Sequence, residues 1–203
     1  MKVRLYVEGG PKGVHADGLR RFKSGFKQHL GRLDPRLSNI EISPCGSTVE
    51  TIRDFARAAR QCGDDCIVAL LVDADAPVVK ESPARHLADK LSAANIPREH
   101  QTNIFLMVQC MEAWLLIDRR ALEKCYGRTA RDAKLPSTLD IETITARDLV
   151  ALLDAMAKGT ATGKYHKVRD AARILTELNP EIVAQRSRHA RELHQFLRQS
   201  VEQ

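Results

Sequence analysis

Two predicted strands each end in acidic residues. The apolar run IVALLVDAD, residues 67–75, ends in Asp73 and Asp75, and the first apolar run, residues 3–7, is followed by Glu8. Unbroken runs rich in Val, Ile and Leu are typical of strands that are covered on both faces of a parallel sheet. Open α/β sheets carry their binding sites beyond the carboxyl ends of such strands. We therefore expect Glu8, Asp73 and Asp75 to meet at one edge of the sheet.

Three carboxylates at one edge favour a bound cation. Two like charges about 4 Å apart cost roughly 4 kcal/mol at an effective dielectric constant of 20, so without a cation one carboxyl group is expected to keep its proton. Hard divalent cations prefer oxygen ligands, and Mg²⁺, or Mn²⁺ in its place, is the expected cofactor. Such a metal can activate water and hold a phosphodiester in line. The alternative is that Asp73 and Asp75 only cap the turn after the strand.

Further residues are candidates for the same site. Glu112 follows the predicted strand NIFLMVQ, residues 103–109, at a position comparable to that of Asp73, and it is an auxiliary ligand or a partner of nearby backbone. The neighbouring Trp114 is interpreted as a core residue. Lys164, placed at the expected start of a helix, could offset charge on a scissile phosphate, or it is an ordinary solvated residue.

Basic residues near these positions are candidates for binding nucleic acid. His166 and Lys167 lie in the densest basic spot of the chain, and Lys12 lies in the loop after Glu8. Solvated surface positions explain the same residues equally well. The late arginine-rich stretch 186–198 has the same two interpretations, and strong salt dependence of binding would indicate contact with phosphates.

The order of predicted elements gives the fold class. Strands at 2–8, 40–43, 67–75 and 103–109 alternate with helices, of which the second begins at a capping box formed by Ser47 and Glu50. Such alternation predicts an α/β fold with a mainly parallel sheet flanked by helices. Residues 127–144 are expected to form a connecting loop. We predict an α/β core over residues 1–118 and a C-terminal helical extension over residues 119–203, with helices at 146–157, 168–178 and 181–199.

Composition limits the class of protein. The 203 residues have 43% hydrophobic content and a net charge of +6, and residues 119–203 hold 16 Lys or Arg against 11 Asp or Glu. A moderate basic excess is compatible with a polyanionic partner but does not require one. Five irregularly spaced cysteines predict reduced thiols rather than a zinc site. No apolar run is long enough to span a membrane, and we expect a cytoplasmic location.

The sequence resembles Toprim proteins, a group that includes topoisomerases, primases, rRNA-maturation nucleases and OLD-family nucleases. The resemblance rests on V-E-G at residues 7–9 and D-A-D at residues 73–75 and covers roughly residues 1–110. It implies a Toprim-like sheet, a general-base or metal-binding role for Glu8, and Mg²⁺ coordination by Asp73 and Asp75. Many Toprim nucleases have a second acid just after E-G, where this chain reads GGPKG.

The whole chain is also similar to a small bacterial family of stand-alone Toprim-like proteins that are often paired with an ATPase in defence loci. VEGG, LLVDAD, QCMEAW and GKYHK carry this similarity. The leading hypothesis is a Mg²⁺-dependent nuclease acting on DNA or RNA. The alternative is a non-catalytic subunit that binds nucleic acid or docks on an ATPase partner. A nucleotide-binding domain ranks last, since neither a dinucleotide fingerprint nor a P-loop is present.

Overall fold

The computed structural model describes residues 2–10, 16–78, 82–135 and 141–202. The strands are β1, Lys2–Val7; β2, Glu41–Pro44; β3, Cys66–Asp73; and β4, Ile104–Met107. They form one sheet in the order β2-β1-β3-β4, and every neighbouring pair is parallel. The α/β class and the parallel sheet predicted from the sequence are therefore confirmed.

Helices connect and cover the strands. The first two are long, and each has the apolar spacing that buries one face. They are α1, Ala16–Leu33; α2, Thr48–Gln61; α3, Pro83–His86; α4, Ala88–Leu91; α5, Glu112–Ile117; α6, Arg119–Tyr126; α7, Arg128–Asp132; α8, Ala146–Lys158; α9, Arg169–Glu177; α10, Pro180–Arg186; and α11, Arg188–Ser200.

The capping box predicted at Ser47 fixes the start of α2. The Ser47 hydroxyl accepts a hydrogen bond from the backbone N–H of Glu50, and the Glu50 carboxylate accepts one from the backbone N–H of Ser47. Because the helix begins at this point, Thr48 is its first residue and lies next to the carboxyl end of β1. The local sequence thus positions a hydroxyl that proves important for the site.

Two cores lie on the two faces of the sheet. The larger one joins β1 and α1 to α5, α8, α9 and α11, so the C-terminal helices pack directly on the sheet face. The smaller one fills the other face, between β3, β4 and α2, around residues such as Phe55 and Leu70. Trp114 is fully buried in the larger core, as expected.

The boundaries differ from the sequence prediction at several places. Residues 127–144 are not only a loop, because they contain α7 and the short 3₁₀ turn Ile141–Thr143; residues 136–140 lie outside the described ranges. The last predicted helix is broken at Ser187, whose extended backbone caps α11 instead.

Cys62 and Cys66, expected to be reduced, form a disulfide between the end of α2 and the start of β3. Within the described ranges, no helix has the length and apolar character needed to cross a membrane.

A buried histidine pair joins α1 to α11. The Nε2 atoms of His29 and His194 are 3.4 Å apart, and the Nδ1 atom of His194 has no hydrogen-bond partner among the described residues. Burial, together with the neighbouring His194, lowers the pKa of His29 to about 3. Burial also lowers the pKa of His194 to about 4. Both imidazoles are therefore neutral in the folded protein at neutral pH.

This pair predicts a loss of stability in mild acid. Below the ordinary histidine pKa, these two imidazoles bind protons in the unfolded chain but stay neutral in the folded chain. The free energy of unfolding therefore falls by about 1.4 kcal/mol for each histidine with every pH unit of acidification. The fall should begin near pH 6.5 and continue towards pH 4. Denaturant unfolding from about pH 7 to about pH 5 measures it. The double variant His29→Leu/His194→Leu should show a flatter profile, whereas His100→Gln should keep the wild-type slope. Parallel profiles for all three proteins would contradict the assignment.

Candidate functional site

Glu8 and Asp73 meet across two adjacent strands. In the parallel pairing of β1 with β3, Val7 lies beside Leu71, and the backbone N–H of Glu8 continues the ladder by donating to the Leu71 carbonyl at 2.9 Å. The backbone N–H of Asp73 donates to the Glu8 carboxylate, with N and Oε2 3.0 Å apart. Residues 65 positions apart in sequence are thus in direct contact at the carboxyl edge of the sheet.

Glu8 is held by the start of α2. The Thr48 hydroxyl lies 3.0 Å from Oε1 and 2.9 Å from Oε2 of Glu8 and donates its proton to this carboxylate. Burial raises the pKa of Glu8, the charge of Asp75 raises it further, and the hydrogen bonds from Asp73 and Thr48 oppose the rise. Each carboxylate oxygen still has lone pairs left to accept another ligand.

Asp73 lies at the centre of the acidic group. Its Oδ1 accepts a hydrogen bond from the backbone N–H of Met111 at 2.9 Å, which ties β3 to the segment that follows β4. Burial raises the pKa of Asp73 to about 8, and the charges of Glu8 and Glu112 contribute to that rise. The Met111 N–H and the Lys167 charge act in the opposite direction.

Glu112 supplies a third carboxylate from the first turn of α5. It is only 1% exposed, and its Oε1 accepts a hydrogen bond from the Tyr165 hydroxyl at 3.2 Å. The ammonium of Lys167, on a side chain that is 68% exposed, lies 3.7 Å from the same oxygen. The electrostatic influence of Glu112 on Asp73 indicates that the two acids share one environment. This arrangement brings Glu8, Asp73, Glu112 and Lys167 to one region.

Asp75 is placed differently from the other acids. Its backbone has a φ of 61°, a left-handed conformation that Asp tolerates better than most residues. Its carboxylate is exposed and accepts a hydrogen bond from the Lys90 ammonium at 3.0 Å. The side chain thus forms a surface ion pair with α4, although its charge still reaches Glu8.

Of the remaining candidates, Lys164 and His166 make no contact with the acids among the described residues. The backbone N–H of Lys164 donates to the Thr162 carbonyl, and its side chain is exposed in a turn. The expected helix start at Lys164 is wrong, because α9 begins only at Arg169. His166 is exposed, and its backbone N–H donates to the Asp170 carboxylate at 2.9 Å. Lys12 lies outside the described residues.

Three residues of the site were not identified from the sequence. Thr48 is marked only indirectly, since the capping box places it at the first position of α2. Tyr165 lies between Lys164 and His166 in the basic stretch, and its hydroxyl donates a hydrogen bond to Glu112. The Cys110 thiol also contacts Glu112, and burial together with the Glu112 and Asp73 charges raises its pKa. The thiol is therefore protonated, which makes it a weak donor rather than a thiolate ligand.

The acids do not form a ready-made chelate. Across the described ranges, no group of three or more His, Cys, Asp or Glu side chains is already arranged to hold a metal ion. Glu8 faces Thr48 and the Asp73 backbone, and Glu112 faces Tyr165. Binding of a metal would therefore require small side-chain rotations around an existing acidic centre.

The fold and this centre define a parallel α/β protein with an acidic cluster at the carboxyl edge of its sheet. The chain belongs to the family described as Domain of unknown function (DUF4276), whose model matches residues 18–198. The match includes Asp73, Glu112 and Tyr165 and begins after Glu8. The searches of curated proteins and of solved structures returned no match. The Toprim resemblance stays a prediction.

The raised pKa of Asp73 predicts that its charge costs stability when no metal is bound. A carboxyl group whose folded pKa is raised stabilises the fold only at low pH, and this contribution is lost as the pH rises towards about 8. Asp73→Asn keeps the acceptor for Met111 without the charge. At about pH 8 this variant should be more stable than the wild type. Its free energy of unfolding should be higher by at least about 1.4 kcal/mol, the equivalent of one pKa unit.

Denaturant titrations in EDTA between about pH 5 and about pH 8 measure this difference. Asp89→Asn removes an exposed carboxylate in α4, outside the acidic centre, and serves as the control, for which no growing difference with pH is expected. A constant difference between Asp73→Asn and wild type over this range would contradict the prediction.

Proposed function

We propose that this protein is a Mg²⁺-dependent hydrolase of phosphodiester bonds in nucleic acid, with Mn²⁺ as an alternative metal. The observation that carries the proposal is the meeting of Glu8, Asp73 and Glu112 at the carboxyl edge of adjacent parallel strands. Parallel α/β sheets use this edge for binding and chemistry. Among the described residues, the Lys167 ammonium lies 3.7 Å from Glu112, and the Lys90 charge acts on Glu8 from its ion pair with Asp75. The three carboxyl groups outnumber these cations once Asp75 is counted, and a divalent cation would neutralise the excess negative charge.

The donor set fits a hard cation. Glu8, Asp73 and Glu112 offer carboxylate oxygens, and Mg²⁺ characteristically binds a few of these while keeping several waters. Each of the three retains acceptor capacity beyond the hydrogen bonds that it makes in the structure. Asp75 would join this set only by leaving Lys90, so we assign it an outer position in the proposed site.

Different residues of the chain would have different roles in the proposed hydrolysis. A bound metal would lower the pKa of a coordinated water and polarise the phosphodiester. Glu8, held by Thr48 and the Asp73 N–H, is positioned to accept the proton of an attacking water. Lys167 lies beside Glu112 on an exposed side chain and can approach the charge that develops on a phosphate. Lys164 and His166 are proposed only as contacts to more distant phosphates.

Hydrolysis assays test the proposal directly. Supercoiled plasmid DNA and a structured RNA are incubated with wild type in Mg²⁺, in Mn²⁺ and in EDTA. We expect metal-dependent cleavage that falls by at least about 100-fold in Asp73→Asn and in Glu8→Gln, since loss of even an outer-shell partner of a metal costs 10- to 100-fold. Asp89→Asn, an exposed acid in α4, should cleave at the wild-type rate. Equal cleavage by wild type and Asp73→Asn would contradict the assignment.

A second candidate function is a subunit that binds nucleic acid, or docks on a partner such as an ATPase, without its own catalysis. Two observations favour it. The acids in the described ranges are not prearranged as a metal site, and the loop after Glu8 lacks a further acid. Nucleic-acid binding that persists in EDTA, together with no cleavage by wild type in either metal, would support this function over the first.

The proposal includes a cytoplasmic location. In a reducing compartment the disulfide between Cys62 and Cys66 would open to two thiols. These cysteines lie at the edge of the sheet opposite to the acidic centre, where β3 begins. Their redox state is therefore not part of the proposed chemistry.

A further inference from the structure

A cleft rich in arginine lies between α1 and α9. It has a volume of about 410 Å³ and is lined by Arg21 and Ser24 from α1 and by Arg169, Arg173 and Thr176 from α9, with Thr162 from the preceding turn. The two helices are in close contact beside it: a Cβ on Gly25 would lie 2.6 Å from the carbonyl oxygen of Ala172. Only glycine permits this approach between α1 and α9.

Two of the arginines are held in place by neighbouring groups. Arg169 donates from Nε to Asp170 at 2.9 Å and from Nη2 at 3.2 Å. Arg173 donates from Nη2 to the Cys125 carbonyl at 2.7 Å, and its guanidinium lies 5.3 Å from the ring centroid of Tyr126. A guanidinium has five N–H donors in a fixed plane, so each retains donors after these contacts.

The third arginine of the cleft, Arg21, has no such partner in the part of the chain that the structure describes. Among the described residues, no ion pair or hydrogen bond involves the guanidinium of Arg21. The one acid in the lining, Asp170, is fully buried and is already bound by Arg169 and by the backbone N–H of His166. The cleft therefore carries an excess of positive charge.

Hydroxyl groups add hydrogen-bonding capacity between the arginines. Ser24 accepts a hydrogen bond from the Gln28 side chain at 3.1 Å, which leaves its own proton available to a ligand. The Thr160 hydroxyl donates to the Ala157 carbonyl, so the Thr162 hydroxyl, 2.7 Å away, donates to Thr160 and keeps only lone pairs for a ligand. Guanidinium groups and the Ser24 hydroxyl are therefore the donors around this cavity, and such donors recognise phosphate oxygens.

The segment that lines the cleft also reaches the acidic centre. Thr162 precedes Tyr165 by three residues, and the Tyr165 hydroxyl donates to Glu112. Asp170, which binds Arg169, also binds the backbone of His166, next to Lys167. Residues 162–170 therefore link the cleft to the acidic centre along the chain.

We propose that this cleft binds a phosphate group, with Arg21 as its principal cation, since its guanidinium has no partner among the described residues. We further assign this phosphate to the backbone of a nucleic-acid strand, an assignment that rests on the proposed hydrolase function. Recognition of phosphate by the cleft itself follows from its own residues and does not require catalysis. A free phosphate monoester, such as that of a mononucleotide, shares the same chemistry and is the other source that the experiment separates.

Binding in EDTA tests the cleft without hydrolysis. A fluorescent single-stranded oligonucleotide without terminal phosphate is titrated by anisotropy, and AMP is titrated by calorimetry. The variant is Arg21→Glu. The matched control is Lys23→Glu, which makes the same charge change two residues away, on another face of α1. Thermal unfolding confirms that both variants fold.

We expect Arg21→Glu to bind the oligonucleotide at least about tenfold more weakly, as for the loss of one charge-assisted hydrogen bond. The slope of log affinity against log salt should fall by about one, and Lys23→Glu should change affinity less than about twofold. Loss of AMP binding alone would overturn the assignment to a strand and identify a monoester site. Equal losses in both variants, or no loss for either ligand, would overturn the cleft as a phosphate site.

The two proposals fail in different ways. Asp73→Asn should keep oligonucleotide binding in EDTA if the cleft acts as stated, whatever the hydrolysis assays give. If Arg21→Glu loses binding and the wild type cleaves nothing, the phosphate site in the cleft is supported and the hydrolase function is contradicted. If the wild type cleaves and Arg21→Glu binds normally, the hydrolase function is supported and the phosphate site is contradicted.

Discussion

The hydrogen bond from the Asp73 backbone to the Glu8 carboxylate is the contact on which the site depends. It exists because β1 and β3 are neighbours in a parallel sheet with Val7 beside Leu71, so their ends lie at the same height. The Glu8 carboxylate thereby extends the ladder beyond the last backbone pair. A shift of one residue in this pairing would move Glu8 to the other face of the sheet and separate the two acids.

That arrangement has an electrostatic cost. Two like charges about 4 Å apart repel by roughly 4 kcal/mol at an effective dielectric constant of 20, and three partly or fully buried carboxyl groups share this region. The structure reduces the cost in two ways: the backbone N–H groups of Asp73 and Met111 and the Thr48 hydroxyl donate to the acids, and Asp73 tends to keep its proton. A purely structural role would be served equally well by an amide at position 73. The carboxyl groups of Glu8, Asp73 and Glu112 are therefore the reason for proposing a bound cation at this position.

Local signals were sufficient to predict much of the framework. The strands were found from continuous apolar runs, and α2 from Ser47 and Glu50, because each of these signals lies within a few residues. The break at Ser187 was missed because the apolar spacing continues across it. That break is stabilised by a distant group, as the Ser187 hydroxyl donates to Glu142 at 2.6 Å. The ion pair of Asp75 could not be predicted for a similar reason, since its partner Lys90 lies 15 residues away on α4.

In the proposed function, the acidic centre and the arginine cleft would both act on one polyanion. A polyanion that approaches Glu8, Asp73 and Glu112 meets repulsion, which a metal at the centre can remove only locally, within a few Å. A strand needs further cations at the spacing of its neighbouring phosphates. The sequence could not indicate which arginines these are, because Arg21 and Arg173 are distant along the chain and meet only where Gly25 lets α1 approach α9. Helix packing at a glycine, rather than a local motif, therefore brings the arginines of the cleft together.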